Sequence, residues 1–316
     1  MSVQNLPIMS RQEALLKLAE EGRLEALREG APLSFWQMAL RRLRRDRLTM
    51  AALLVLLLIT LLSVGARFIS SQVLGVDPDL TEIAATFKPP SAEHWLGTDA
   101  LGRDQLARLL FGGRISLAIG FFGTIFTAVF GITIGMTAAY FGRRVDDFIM
   151  WVINTLDSIP QLFLLLIVGA LFELSPAALT LLFALLGWPF ISRLVRSSVF
   201  SLKEREYISA AHALGMSDGA IMWRHIVPNV IPLVIIATAR RVGNLILAES
   251  ALSFLGFGVQ PPTSTWGTML TKAQQFILVP DARHLVVAPG VMIALTVLCL
   301  FIIGDGLRDA MDPRLN

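Results

Sequence analysis

The chain has 316 residues, of which 54% are hydrophobic and only 16% are charged. Soluble globular domains carry about 25% charged residues, and long apolar runs recur from end to end here. The composition therefore excludes a soluble protein and predicts an all-α, polytopic membrane protein. The formal net charge of +3 says less than the positions of the charges. Because the chain has a single cysteine, Cys299, it cannot form an intrachain disulfide. Cys299 lies in the last apolar run.

Residues 1–47 form the first predicted region, which should lie in the cytoplasm. Ser10 and Glu13 have the spacing of a capping box at the start of a helix. Residues 34–47 then combine apolar side chains with arginines, which predicts a helix lying on an anionic lipid surface. Nucleic-acid binding is the alternative, but a membrane span follows at once. The arginines are Arg41, Arg42, Arg44, Arg45 and Arg47, and they predict a cytoplasmic N-terminus.

Six membrane-spanning helices are predicted from the apolar runs. They cover residues 48–66, 115–141, 148–172, 177–191 with a polar continuation, 230–255 and 285–303. Residues 67–114 form an external loop with a short helix at 104–111, and residues 258–284 form a second external segment. The chain thus divides into 1–47, 48–66, 67–114 and a five-span core at 115–316. Both termini and the loop at 204–229 fall in the cytoplasm.

Close helix packing is predicted for the second span. Gly131 and Gly135 are four residues apart, a spacing that lets another helix approach the backbone closely.

The central loop, residues 204–229, is too hydrophilic to lie in lipid and predicts two short helices. Gly215 can end the first by taking a left-handed conformation. Ser217 can cap the second, which Pro228 is expected to end. Such a helix–turn–helix, held at the membrane face by flanking spans, is well shaped to dock on a soluble partner. It carries no arrangement of catalytic side chains.

The spacing of Ala210, Ala211, Gly215 and Pro228 resembles the EAA loop of ABC importer permeases, the coupling helix that inserts into a groove of the ATPase subunit. The longer sequence pattern EY…AA.ALG…I…RHI.PN resembles the dipeptide/oligopeptide/nickel branch of that family. Importers of this branch have two different permease subunits, and the pattern resembles the second. The segments HWLGTDALGRDQLARLLFGGR and GDGLRDAMDPRLN resemble the same branch. Ser209 departs from the motif, which has Glu there.

The resemblance implies a type I ABC importer permease with six transmembrane helices in a bacterial inner membrane. It implies a second permease subunit, two ATPase subunits that hold ATP and Mg, and an external substrate-binding protein. This chain itself is expected to bind membrane lipid but no nucleic acid, cofactor or metal, and to have no enzymatic activity. The implied coupling residues are Tyr207, Ser209, Ala210, Ala211, Leu214, Gly215 and Ser217.

The expected substrates are di- or oligopeptides or peptide-like solutes. A permease of the same branch that carries nickel or another non-peptide solute is one alternative. A secondary transporter driven by an ion gradient is another, although the polar loop has no counterpart in the first half of the chain. We further expect charged or bulky replacement of Ala211 or Gly215 to uncouple transport while leaving the membrane fold intact.

Polar residues inside the predicted spans need a reason, because each charge costs roughly 2.5–3.5 kcal/mol on insertion scales. Arg240 and Arg241 lie about 16 Å along a helix from Asn229, close to mid-membrane. They either line the translocation path and attract an anionic substrate, or pair with acids of the partner permease or of this chain, such as Asp157. Further path or interface candidates are Asn244, on the face of Arg240, and Glu249, which is expected toward the outer end against a partner permease or a helix cap.

Overall fold

The computed structural model describes residues 35–311, whose regular structure is helical apart from one isolated bridge between Thr98 and Asp104. The predicted all-α architecture is confirmed for this range, and the capping box at Ser10 lies outside it. The longer helices are α1 Phe35–Arg45, α2 Arg47–Val64, α3 Gln105–Phe141, α4 Arg143–Asp157, α5 Gln161–Leu171, α6 Pro176–Lys203, α7 Glu206–Ala213, α8 Val227–Ala239, α9 Arg241–Phe254, α10 Trp266–Gln275 and α11 His284–Met311. Short helical turns lie at Ala66–Phe68, Ile69–Leu74, Ile83–Ala85, Asp218–Ile221, Met222–Ile226 and Pro280–Ala282.

Five helical segments of the described chain are long and apolar enough to cross a membrane, and the number is six if one bent pair forms a single span. The pair is α4 and α5, whose axes differ by 75°. The region predicted as the third span, residues 148–172, is therefore bent. The reason is Pro160, at the break between the two helices, since proline has no N–H to continue the hydrogen-bond ladder.

The second predicted span and the short external helix before it are one continuous helix, α3, of 37 residues. The Asp104 side chain caps it by accepting a hydrogen bond from the Ala107 N–H at 2.8 Å. Gly112 and Gly113 lie inside this helix and let Trp266 approach it closely: a Cβ on Gly113 would lie 2.8 Å from the Trp266 ring.

The C-terminal half of α3 packs closely on α6, as the glycine spacing predicts. A Cβ on Gly131 would lie 2.5 Å from Cβ of Ile191, and Gly135 meets the backbone of Ser192 in the same way. Side chains at either position would therefore force the two helices apart. The predicted close contact of the second span with a neighbouring helix is confirmed.

The first and last spans meet near their polar ends. The basic helix α1 ends at Arg45, and Asp46 then caps α2 by accepting a hydrogen bond from the Leu48 N–H at 3.0 Å. One turn later, Thr49 packs against Gly306 of α11. The last helix continues to Met311, eight residues past the end of the predicted span, with Gly306, Ala310 and Met311 buried and its charged residues exposed.

The segment between α9 and α11 packs on the helix bundle. Its helix α10 begins at Trp266, which is fully buried against the N-terminal half of α3. The Trp266 backbone N–H donates to Oγ of Ser116 at 3.2 Å, and the indole N–H donates to the Leu109 carbonyl at 3.0 Å. Phe87 packs on Phe276 with ring centroids 5.0 Å apart, which joins residues 67–104 and 258–284 into one cap over this end of the helices.

Candidate coupling site

The turn after α7 has the geometry that its sequence predicts. Gly215 has a φ of +78°, a left-handed conformation that glycine adopts without a Cβ penalty. Its N–H donates to the His212 carbonyl at 2.9 Å, and the Met216 N–H donates to the Ala211 carbonyl at 3.1 Å. These two bonds form a Schellman motif. The predicted end of the first short helix is confirmed.

The second short helix begins as predicted but does not end at Pro228. The Ser217 side chain accepts a hydrogen bond from the Ala220 N–H at 3.4 Å. The helix then passes through a wider turn at Met222–Ile226 and continues directly into α8. Pro228 lies in the first turn of α8, where its missing N–H costs little. The loop is therefore continuous with the fifth span, so a displacement of the loop moves that span.

The Ala210–Ala211 pair divides between two surfaces. Ala211 is only 7% exposed and packs with Ile208, Ile221 and Ile226 against the C-terminal ends of α3 and α6. Ala210 faces outward. Bulk at Ala211 would thus disturb the packing of the loop on the bundle, and the expected uncoupling without loss of the membrane fold stays a prediction. At Gly215 no atom lies within 4 Å of the position that a Cβ would take, and only the φ of this residue resists replacement.

Three large apolar or aromatic side chains of the loop are exposed. Leu214 is 87% exposed, Trp223 is 71% exposed and Tyr207 is 44% exposed. Ser209 and Ser217 are exposed as well. Large apolar side chains that project singly are ordinary, but several on one short polar hairpin are typical of an interaction surface. Of the predicted coupling residues, all except Ala211 are therefore available to a partner.

A polar cluster fastens the loop to the end of α3. The Tyr140 hydroxyl donates to Oδ1 of Asp218 at 2.7 Å and lies 3.2 Å from Nε2 of His212. The Lys203 ammonium, at the end of α6, donates to the Tyr140 carbonyl at 2.6 Å. Sequence reasoning missed this cluster because Tyr140 is 72 residues from His212 and 78 from Asp218. A lone tyrosine at the end of an apolar run was its only signal.

We expect Tyr140→Phe to lower the amount of solute moved per ATP by about two- to fivefold. The ring stays in the core, but the loop loses a hydrogen bond to a carboxylate, which contributes roughly 1.5–3 kcal/mol. Parallel measurement of uptake and ATP hydrolysis in proteoliposomes tests this. An unchanged ratio in Tyr140→Phe would contradict the expected role.

Asp157 does not neutralise Arg240 or Arg241. It pairs with Arg193 of α6, which also donates to the Asn154 side chain at 3.1 Å. One turn along α6, Arg196 binds Asp146 with two hydrogen bonds of 2.5 and 2.6 Å. The proposed pairing of Asp157 with the arginines of the fifth span is therefore wrong. These ion pairs instead hold α4 against α6.

Arg240 is paired with Asp305 of α11. It also packs on Gly304, whose Cβ would lie 2.8 Å from its side chain. Gly304 is two residues from Gly306, which contacts Thr49 near the start of α2. Arg240 therefore lies close to the level at which the start of α2 meets α11, and its predicted mid-membrane depth stays a prediction.

Arg241 has a different environment from its neighbour. Its guanidinium lies directly over Gly187 of α6, where any Cβ would clash with it. Within residues 35–311, its buried Nε has no hydrogen-bond partner and no carboxylate forms an ion pair with it. Asn244 is exposed one turn from Arg240. Within the described residues, the charge of Arg240 is therefore balanced by Asp305, and no carboxylate balances the charge of Arg241.

Glu249 is fully buried inside this chain. It accepts hydrogen bonds from the hydroxyls of Thr265 at 2.7 Å, Ser253 at 2.8 Å and Ser116 at 3.4 Å. Thr265 caps α10, so the expected contact with a helix cap is found. Enclosed in this way, Glu249 connects α3, α9 and α10 and does not reach a partner permease or a substrate.

The chain matches two protein-family models. Residues 131–316 match the binding-protein-dependent transport system inner membrane component family, and residues 34–90 match the N-terminal TM domain of oligopeptide transport permease C. The first match covers more than half of the chain, including the whole coupling loop. The chain belongs to this transport-component family. This confirms the prediction that the chain is a permease of the peptide branch of ABC importers and resembles the second permease subunit of that branch.

Individual relatives of this permease agree with the family models. The dipeptide transport system permease protein DppC of Alkalihalophilus pseudofirmus is 37% identical over 284 residues, 90% of this chain and 91% of that protein. The glutathione transport system permease protein GsiD of Pectobacterium atrosepticum is 35% identical over 293 residues, 93% of this chain and 96% of that protein. A chain of the MetNI methionine ABC transporter, in an inward-facing conformation, is 19% identical with a TM-score of 0.49 and covers 64% of this chain and 95% of that chain.

Proposed function

We propose that this permease subunit imports peptides or peptide-like solutes and is driven by ATPase subunits that bind the loop at 204–229. The substrate class is supported by relatives whose names specify dipeptide and glutathione transport. The docking role is supported by one observation above all: the exposed apolar side chains of Leu214 and Trp223 lie on a hairpin that is continuous with α8.

In the proposed assembly, this chain pairs with a second permease, and two ATPase subunits bind on the cytoplasmic side. ATP and Mg are held by those subunits, so this chain contributes transport without hydrolysis. Among residues 35–311, no group of His, Cys, Asp or Glu side chains is arranged to hold a metal ion. An external binding protein delivers the solute. Both termini lie in the cytoplasm of a bacterium, and the spans cross its inner membrane.

Coupling in this proposal is mechanical. Closure of the ATPases on ATP displaces the hairpin, which the Tyr140 cluster and the Ala211 core hold as one piece with the inner ends of α3 and α6. Because the hairpin continues into α8, the displacement reaches the fifth span without a flexible joint. A rigid lever acting on a bundle with two packings is a known route from a small local change to a large rearrangement.

Reconstitution with its partners in proteoliposomes tests the proposal. We expect peptide uptake that requires internal ATP, the binding protein and the intact hairpin, and that continues when the proton gradient is dissipated. Uptake that stops when the proton gradient is dissipated, but continues when ATP is depleted, would favour a secondary transporter. Uptake of nickel complexes or other non-peptide solutes without peptide uptake would favour a different solute for the same assembly.

We further propose that Arg241, whose charge no carboxylate of the described chain balances, lines the translocation path and attracts anionic solutes. Replacement by leucine should then lower the uptake of an anionic peptide about tenfold more than that of a neutral peptide, at matched expression. Arg240→Leu is the control, because the charge of Arg240 is already balanced by Asp305. Equal losses for both peptides in Arg241→Leu would instead indicate a contact with the partner permease.

A further inference from the structure

A cationic cavity lies between the two segments that were predicted to be external. It has a volume of about 210 Å³ and is bounded by the start of α3 on one side and by α10 on the other. Arg103 and Arg108 form its floor, with side chains only 7% and 3% exposed. The exposed residues Leu101 and Gln275 stand at its mouth. None of these residues belongs to the coupling hairpin or to the fifth span.

The carboxylates near the cavity do not balance its cations. Asp99 binds Arg103 at 2.5 and 2.9 Å and lies 3.6 Å from Arg108, so two guanidinium groups share one carboxylate. Asp79 adds a contact of 3.4 Å to Arg108, but it is mostly exposed on the far side. Lys272 of α10 also lines the cavity. Three cations thus face two carboxylates, and the positive charge in excess belongs to Lys272.

Lys272 is the unpartnered member of the cluster. No carboxylate or carbonyl of residues 35–311 accepts a hydrogen bond from its ammonium group, although the side chain is half-buried. Burial, followed by the charges of Arg103 and Arg108, lowers the pKa of Lys272. Keeping this ammonium charged therefore costs free energy in the isolated chain. An anion entering through the mouth of the cavity would remove that cost and meet two guanidinium groups as well.

We propose that this cavity receives the carboxylate of an Asp or Glu side chain from the external binding protein when that protein docks. The volume favours an inserted side chain over a whole substrate, because pockets for small molecules usually enclose about 300–1,000 Å³. Paired guanidinium groups and an ammonium are the donors that carboxylates prefer. The inference rests on the proposed function in requiring a binding protein.

Lys272→Gln tests the proposal, because it removes the unpaired charge without breaking any ion pair of the described chain. The reconstituted importer is titrated with its purified binding protein, and the stimulation of ATP hydrolysis is measured. We expect the half-maximal concentration to rise about tenfold, the factor that 1.4 kcal/mol represents. The maximal rate should stay unchanged, and added salt should weaken docking less in the variant than in the wild type.

Two further variants make the result specific. Lys272→Arg keeps the charge and should dock almost normally. Lys88→Gln removes an exposed lysine from the same predicted face but outside the cavity, and it should also dock normally. Unchanged docking in Lys272→Gln, or equal weakening in Lys88→Gln, would overturn the proposal.

The substrate is the competing source of a carboxylate, and uptake at saturating binding protein separates the two. The same transported peptide is supplied with a free and with an amidated C-terminus. Loss of uptake in Lys272→Gln for the free acid alone would overturn the docking assignment in favour of the substrate. If the proposed peptide import itself is wrong, the wild-type assembly takes up neither peptide, whereas failure of the docking inference leaves wild-type uptake intact.

Discussion

Replacing Leu214 with aspartate is expected to reduce ATP-dependent uptake by at least about tenfold while leaving the membrane fold intact. The side chain is 87% exposed at the tip of the hairpin, so the described chain has almost no packing to lose there. A carboxylate would need to be desolvated in an apolar groove of the ATPase, and burying an unpaired charge costs several kcal/mol. Uptake and copurification of the ATPase subunits are the measurements.

Leu278→Asp is the matched control for this change. Leu278 is 90% exposed, but it lies between α10 and α11 in the segment predicted to be external. The two variants make the same chemical change at equal exposure and differ in location alone. We expect Leu278→Asp to retain its ATPase subunits. If Leu214→Asp copurifies with them as well as Leu278→Asp does, the hairpin is not the ATPase contact.

Trp266→Ala is expected to give the largest loss of stability of any single substitution considered. The side chain is fully buried between α3 and α10, and truncation of a buried tryptophan to alanine typically costs about 3–5 kcal/mol. The change would also leave the Leu109 carbonyl without its donor and open space beside Gly113. Thermal unfolding of the purified protein in detergent should show a midpoint lowered by several degrees, with a reduced yield of monodisperse protein.

Two variants separate packing from hydrogen bonding at this site. Trp266→Phe retains most of the ring and loses the indole N–H, so a smaller cost of about 1 kcal/mol is expected. Trp95→Ala removes a tryptophan that is 58% exposed in the same external cap and should change the midpoint little. Equal midpoints for Trp266→Ala and Trp95→Ala would show that the cap is not held by the buried indole.

The elements that could be predicted from the sequence are those whose signals are local. Long apolar runs must form helices in lipid, where backbone groups have no other partners. The turn at Gly215 and the cap at Ser217 depend on a few neighbouring residues, and both were found where they were expected. Pro228 was misread because a proline that ends one helix and a proline that opens the first turn of another have the same local signature.

The candidate site was predictable as a segment but not residue by residue. The family resemblance located the hairpin, yet Ala210 and Ala211 are adjacent in sequence and differ in burial because only one faces the ends of α3 and α6. The Tyr140 cluster joins residues 72 or more positions apart. No periodicity or motif encodes such a pairing, because it depends on how the spans pack.

By itself, the amino-acid sequence determined that this chain is a multi-span helical membrane protein with a polar hairpin between its fourth and fifth crossings, since hydrophobicity and turn chemistry act over short distances. Only the tertiary structure decided which charges are balanced. Arg240 meets Asp305, Asp157 meets Arg193, and Arg241 and Lys272 meet no carboxylate in the described chain. Electrostatic pairing depends on separations of a few ångströms between distant residues, and helix packing alone sets those separations.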